Sequence, residues 1–142
     1  NLSCRYFTHS TETIIWCRKE KDSVHYFDYQ YMKEINNGKQ MRDVWKIDTN
    51  GADELWEIST PGKREKEYGE FPTQKPLKLL DRIIIASTQA DQVVLDPFNG
   101  SGTTGIAAKI LKRRYIGIDI STEYLDLTIR RLRGMSEQQQ LI

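Results

Sequence analysis

The sequence predicts an α/β fold with a doubly wound, mostly parallel sheet. From Val93 to Arg133, a short apolar run, a glycine-rich turn, a helical pattern, a second apolar run and a second helical pattern follow one another. Strands alternating with helices start such a sheet. Both apolar runs end on an acid, Asp96 and Asp119, at the carboxyl ends of the strands, where ligands bind in open α/β sheets. Between them, Gly100, Gly102 and Gly105 let a backbone come close to a ligand.

The elements follow in order. In "TETIIWCRK", Thr11 to Lys19, the β-branched and aromatic centre Ile14-Ile15-Trp16 is bounded by charges and reads as a buried strand. "VHYFDY" is a second candidate strand. The pattern turns briefly helical from Tyr31 to Gly38, and Lys39 to Gly69 then mixes Gly, Pro and charge around Trp45 and Trp56 with no sustained period. A loop of about thirty residues inside a compact domain is unusual unless it binds something. In "FPTQKPLKLLDRIIIAS", Pro76 suits a first helical turn, with Leu79, Leu80, Ile83 and Ile84 at helical spacing. "VVLD" is a short buried strand, Thr103 to Leu111 a helix and Tyr115 to Asp119 a strand. Ser121, a suitable N-cap, opens a helix to Arg133 with Leu125, Ile129 and Leu132 on one face, and the tail "SEQQQLI" frays.

Composition narrows the class without naming a partner. The chain has 142 residues, one domain's length, with 38% hydrophobic and 29% charged residues and a formal charge of +1. Cys4, Cys17, His9 and His25 show no metal-ligand spacing, so no metal is expected and the cysteines read as reduced. No apolar run approaches the length of a membrane span, and the opening residues have neither an initiator Met nor a signal-peptide layout. A cytoplasmic chain that begins mid-protein is expected.

The turn and its flanks carry the chemistry. Asp119 lies about twenty residues after the glycines, where a carboxylate can accept hydrogen bonds from a ribose. Gly100, Gly102 and Gly105 satisfy the dinucleotide spacing, which also fits a tight turn without a ligand. Asp96-Pro97-Phe98 just ahead would repel a pyrophosphate but accommodate an ammonium group, so a cationic nucleoside fits better than NAD.

"DPFNGSGTT" resembles the S-adenosylmethionine pocket of the amino-group DNA methyltransferases, which methylate adenine N6 or cytosine N4. "FPTQKP" is similar to that family's other cofactor segment, with Phe71 where His is commoner, and "RYIGIDIS" to its ribose-binding strand. "HSTETIIWCRKEK", "FDYQYMK" and "KQMRDVWKI" resemble its upstream segments, so the likeness covers nearly the whole chain. Cofactor segments placed after the recognition region mark the β class, of the restriction-modification type.

The resemblance implies a partial Rossmann-like methyltransferase fold: residues 1–38 a strand-rich part of the core, 39–70 a target-recognition insert, 71–135 the cofactor-binding half, 136–142 the tail. It implies S-adenosylmethionine as cofactor. Asp96 would face the ammonium, Gly100 and Gly102 permit close approach, and Ser101 and Thr103 donate to the carboxylate. Lys75, with Thr73 nearby and Pro76 after it, would neutralise that carboxylate from the opposite side. Asp119 would hold the ribose, and Phe98, after Pro97, and Ile120 would sandwich the adenine; Lys75 as a solvated lysine, and core packing for Phe98 and Ile120, are the plain alternatives. Arg42, Trp45, Lys46, Lys63 and Arg64 would contact duplex DNA, or form a solvated surface balanced by neighbouring acids.

One departure matters. The family's Asp/Asn/Ser-Pro-Pro-aromatic catalytic tetrapeptide is absent, so no catalytic residue is assigned. The expected activity is methyl transfer to adenine N6 in duplex DNA, by a fragment inactive alone that needs an N-terminal catalytic segment or partner chain. Homodimerisation, an N4-cytosine target and a catalytically dead cofactor- and DNA-binding subunit are the alternatives.

Overall fold

A computed structural model describes residues 13–41 and 61–139. Its elements are helix α1 (Tyr29–Glu34), a 3-10 turn (Lys63–Lys66), helix α2 (Leu77–Ser87), strand β1 (Val93–Asp96), helix α3 (Thr103–Ile110), strand β2 (Arg114–Gly117) and helix α4 (Thr122–Gln139).

The two strands are parallel, pairing Val93 with Arg114 and Asp96 with Gly117, and α3 is the crossover between them. Pairing continues past the ladder: Ile118 N donates to the Asp96 carbonyl, and Asn99 N to the Ile118 carbonyl, each at 2.9 Å. The glycine turn is thereby tied to the end of β2.

Alternation along each strand decides which face is covered. Val94 and Tyr115 turn inward to a core built on Ile84 of α2 and Ala107 and Ala108 of α3. Small side chains on α3 let α2 lie close. Gly105 serves the same end against the sheet, since a Cβ there would sit 2.5 Å from the Tyr115 ring. Arg113 locks the layer at one end, its guanidinium donating to the Thr88 carbonyl at 2.6 Å beyond the last turn of α2.

The opposite face corrects the expectation for "VVLD", a strand expected to be buried. Val93 and Leu95 are 43% and 59% exposed and Ile116 is 52% exposed, because no described helix lies over that side. The fold is accordingly a partial Rossmann-like α/β fold, with α3 between α2 and α4.

Three further expectations meet the structure differently. Residues 13–18 of the expected strand Thr11 to Lys19, and Val24 to Phe27 of the second, form no ladder, since a strand exists only through a bonded neighbour and no described residue supplies one. Asp28 instead caps α1, accepting from Tyr31 N at 3.0 Å, while Met32 packs inward at 1% exposure. Helix α4 runs past Arg133 to Gln139, with buried Gly134 beneath the Tyr68 ring and the good helix formers Met135, Glu137, Gln138 and Gln139 following it. Its buried stripe is Leu127, Thr128, Arg131 and Gly134, while Ile129 is 44% exposed.

Replacing Ile84 with Ala should cost about 2–5 kcal/mol in urea unfolding, whereas Ile129→Ala should cost under about 0.5 kcal/mol. Equal losses at the two positions would remove Ile84 from the centre of the core.

Candidate functional site

The carboxyl ends of β1 and β2 lie side by side, and the chain leaves each through a carboxylate. Asp96 folds back on its own turn, Oδ1 accepting from Phe98 N at 3.0 Å. Asp119 spans two segments: Oδ2 accepts from Gly100 N at 2.7 Å and Oδ1 from Ser121 N at 2.9 Å. These donors, Ser121 before Gly100, hold the Asp119 carboxyl below the usual carboxylate range. Each oxygen keeps accepting capacity for a ligand hydroxyl.

Around these acids the surface is apolar and open. Phe98 is 89% exposed and Ile120 fully exposed, so neither belongs to the core. Pro97 is exposed beside them and Asp96 and Asp119 are half-buried.

The turn itself faces inward. Gly100, Ser101, Gly102 and Thr103 are all buried. Gly102 has φ of +74°, and a Cβ there would lie 2.4 Å from the Thr128 side chain, so its missing side chain makes room for α4. At Gly100 a Cβ would come within 2.8 Å of the Phe71 ring, which packs edge-on against Tyr124 with centroids 4.8 Å apart. The close approach expected of a ligand at these glycines is made by the protein's own side chains. Phe71 also brings the "FPTQKP" segment against the turn.

Polar groups behind the turn form a continuous network. Asn99 accepts from Tyr115 Oη at 2.5 Å and donates to Thr128 Oγ1 at 2.7 Å and to the Gly100 carbonyl at 2.9 Å. Burial, with Asp96 nearby, pushes the Tyr115 phenol far above its ordinary value, so it remains a donor. Arg131 Nη1 donates to the Ser101 carbonyl at 2.6 Å and to Thr103 Oγ1 at 3.2 Å, and the Ser101 and Thr103 hydroxyls lie 3.3 Å apart. Sequence reading missed Asn99, Tyr115, Thr128 and Arg131. The signal was the spacing of Tyr124, Thr128, Arg131 and Gly134 along one helical face, which the apolar positions of α4 masked.

The remaining expected site residues lie on the segment before α2. Thr73 and Lys75 are exposed, and Pro76 is the residue before the first turn of α2. Glu65 ties this segment to the 3-10 turn, its Oε2 accepting from Leu77 N at 3.0 Å and its carbonyl accepting from Gln74 Nε2 at 2.8 Å. Lys63 and Arg64 are exposed on that turn, whereas Arg42, Trp45 and Lys46 lie outside the described residues. No group of acids, histidines or cysteines among the described residues could hold a metal ion, and no described helix is long and apolar enough to cross a membrane.

Comparison with known proteins gives this geometry a context. The family model described as DNA methylase matches residues 1–130. The chain is 55% identical to the type II methyltransferase M2.DpnII of Streptococcus pneumoniae, covering 96% of this chain and 47% of that protein. It is 52% identical to M2.MboI of Moraxella bovis, covering 92% and 44%. A solved complex of M1.HpyAVI with SAM is 40% identical over 63% of this chain and 43% of that one, with a TM-score of 0.48. The chain spans about half the length of the curated relatives it matches.

Because its folded-state pKa is depressed, Asp119 stabilises the fold above its unfolded value near 3.9, a contribution lost as pH falls through the lower folded value. Asp119→Asn should flatten the fall in melting temperature between about pH 5 and about pH 2.5. An unchanged slope would show that the two backbone donors do not stabilise the ionised form.

Proposed function

The chain belongs to the N6/N4 DNA methylase family, as a β-class amino-methyltransferase of the restriction-modification type, and from that premise we propose that it forms the cofactor half of an enzyme methylating adenine N6 in duplex DNA. The observation that carries the reading is the pair of strand-end carboxylates, Asp96 and Asp119, flanked by exposed Phe98 and Ile120.

This donor set fits S-adenosylmethionine, the family's cofactor. When bound, the cofactor supplies a methyl group on a sulfonium already poised to leave. Asp96 receives the ammonium group. Asp119 keeps its backbone donors and takes ribose hydroxyls on its remaining lone pairs. Phe98 and Ile120 cover the adenine, for which a solvent-exposed aromatic and a β-branched side chain supply apolar faces. Pro97 stiffens the exit from β1, and Gly100 and Gly102 shape the turn. Lys75 and Thr73 serve the carboxylate end, with Pro76 starting α2 behind them.

We assign residues 71–135 to the cofactor half, 39–70 to the recognition insert, 1–38 to the core and 136–142 to the tail. Lys63 and Arg64 are exposed and can reach phosphates; Arg42, Trp45 and Lys46 are assigned to the same DNA surface. The amino-group chemistry belongs to a Pro-Pro-aromatic segment that these 142 residues do not contain, so the chain binds cofactor and transfers no methyl alone. That segment, in cis or on a partner chain, completes the site.

Calorimetry should show S-adenosylhomocysteine binding and no NADH binding at millimolar concentration, with Asp96→Ala reducing affinity more than Asp119→Ala, since an ammonium left unpaired costs more than one ribose contact. Tritiated-methyl transfer to a mixed duplex should appear only when the segment is added, and digestion should yield N6-methyladenine. NADH binding in place of the adenosyl ligand would overturn the cofactor assignment, transfer by the chain alone would overturn the division of labour, and N4-methylcytosine would change the target.

A further inference from the structure

Arg131 is the least expected group near the turn. It is 5% exposed, and burial lowers its pKa, yet a guanidinium stays charged inside proteins. Its hydrogen-bond partners are neutral oxygens, the Ser101 carbonyl and the Thr103 hydroxyl, and it makes no ion pair within 4.0 Å among the described residues. Glu65 is the carboxylate that acts on it, from farther off.

A buried cation without a close counter-ion is costly unless something else satisfies it. Arg131 lies against the first residue of α3, where the helix dipole adds positive potential of the same sign. Both effects favour negative charge arriving at this turn. The guanidinium can only donate, so Thr103 Oγ1 is the acceptor in that bond and its own proton stays available, either to Ser101 Oγ or to a ligand.

We propose that Arg131 is a positioning residue of the cofactor site, holding Ser101 and Thr103 in place from behind and providing the positive charge that draws the ligand's carboxylate to the turn. The inference rests on the reading of S-adenosylmethionine as cofactor and adds to it a second positive group, beside Lys75, for the carboxylate end. Ser101 and Thr103, expected to donate to that carboxylate, are buried, with the Arg131 charge directly behind them.

Three ligands separate these roles by calorimetry on the 142-residue protein: S-adenosylhomocysteine, its carboxamide, and 5′-methylthioadenosine, which lacks the amino-acid end. The unaltered protein should prefer the free acid to the carboxamide by at least about tenfold. Arg131→Met should cut that preference at least about threefold, the remainder coming from Lys75, while changing methylthioadenosine affinity by less than about twofold, and Arg131→Lys should fall between the two. No preference in the unaltered protein would overturn the proposal, as would equal loss of all three ligands in a folded Arg131→Met variant, which would mark Arg131 as scaffold alone. If Arg131→Met does not fold, Arg131→Lys decides: a reduced preference for the free acid supports the proposal, and an unchanged preference overturns it. Failure to bind any of the three would instead bring down the cofactor reading, a result distinct from binding without preference.

Discussion

The buried amide of Asn99 is the constraint on which the rest of the site depends. It joins three separate parts of the chain: Tyr115 on β2, the Gly100 carbonyl in the turn and Thr128 on α4. Each buried polar group in such a network costs about 1–3 kcal/mol if left unpaired. The turn therefore cannot change shape without stranding donors and acceptors on the strand and the helix together. The conformation of this glycine-rich turn is held by side chains far away in sequence.

This arrangement separates two surfaces of one short turn. Its inner surface is given over to the protein: Phe71 against Gly100, Thr128 against Gly102, Arg131 against Ser101 and Thr103. Its outer rim, at the ends of the strands, presents Asp96, Phe98, Asp119 and Ile120. Rigidity on the inside is what allows precise placement outside, because carboxylates must be fixed before a ligand arrives if binding is not to spend energy ordering them. Asp119 belongs to both surfaces, since the bonds that anchor it to Gly100 and Ser121 also keep it ionised.

Helix α4 gives the same layout a longer reach. Along one face it meets Phe71 through Tyr124, Gly69 through Leu127, the turn through Thr128 and Arg131, and Tyr68 through Gly134. It thus connects the end of the segment assigned to recognition with the turn assigned to the cofactor. A helix reading of apolar positions alone placed Ile129 on the packed side, but polar and small residues line that side because they answer the hydrogen-bonding groups of the turn. The Tyr68–Gly134 contact also explains why a glycine fails to end the helix: the space it leaves is filled.

The sequence by itself determined the order of elements from Leu77 onward, the parallel crossover, the acids at the strand ends and the family. These follow from local causes: periodicity, a capping serine that accepts from Tyr124 N at 3.4 Å, glycines where the backbone must turn, and a motif that is contiguous in the chain. Tertiary structure alone decided which face of each strand is covered, why Gly100 and Gly102 must be glycines, and that Asn99, Tyr115, Thr128 and Arg131 support the site. Asn99 and Thr128 are 29 residues apart, and Ser101 and Arg131 are 30 apart, so no local pattern relates them. Contacts between residues so distant arise only when the crossover brings α4 back over the turn, and it is there that a buried amide and a buried cation find the partners that make their burial tolerable.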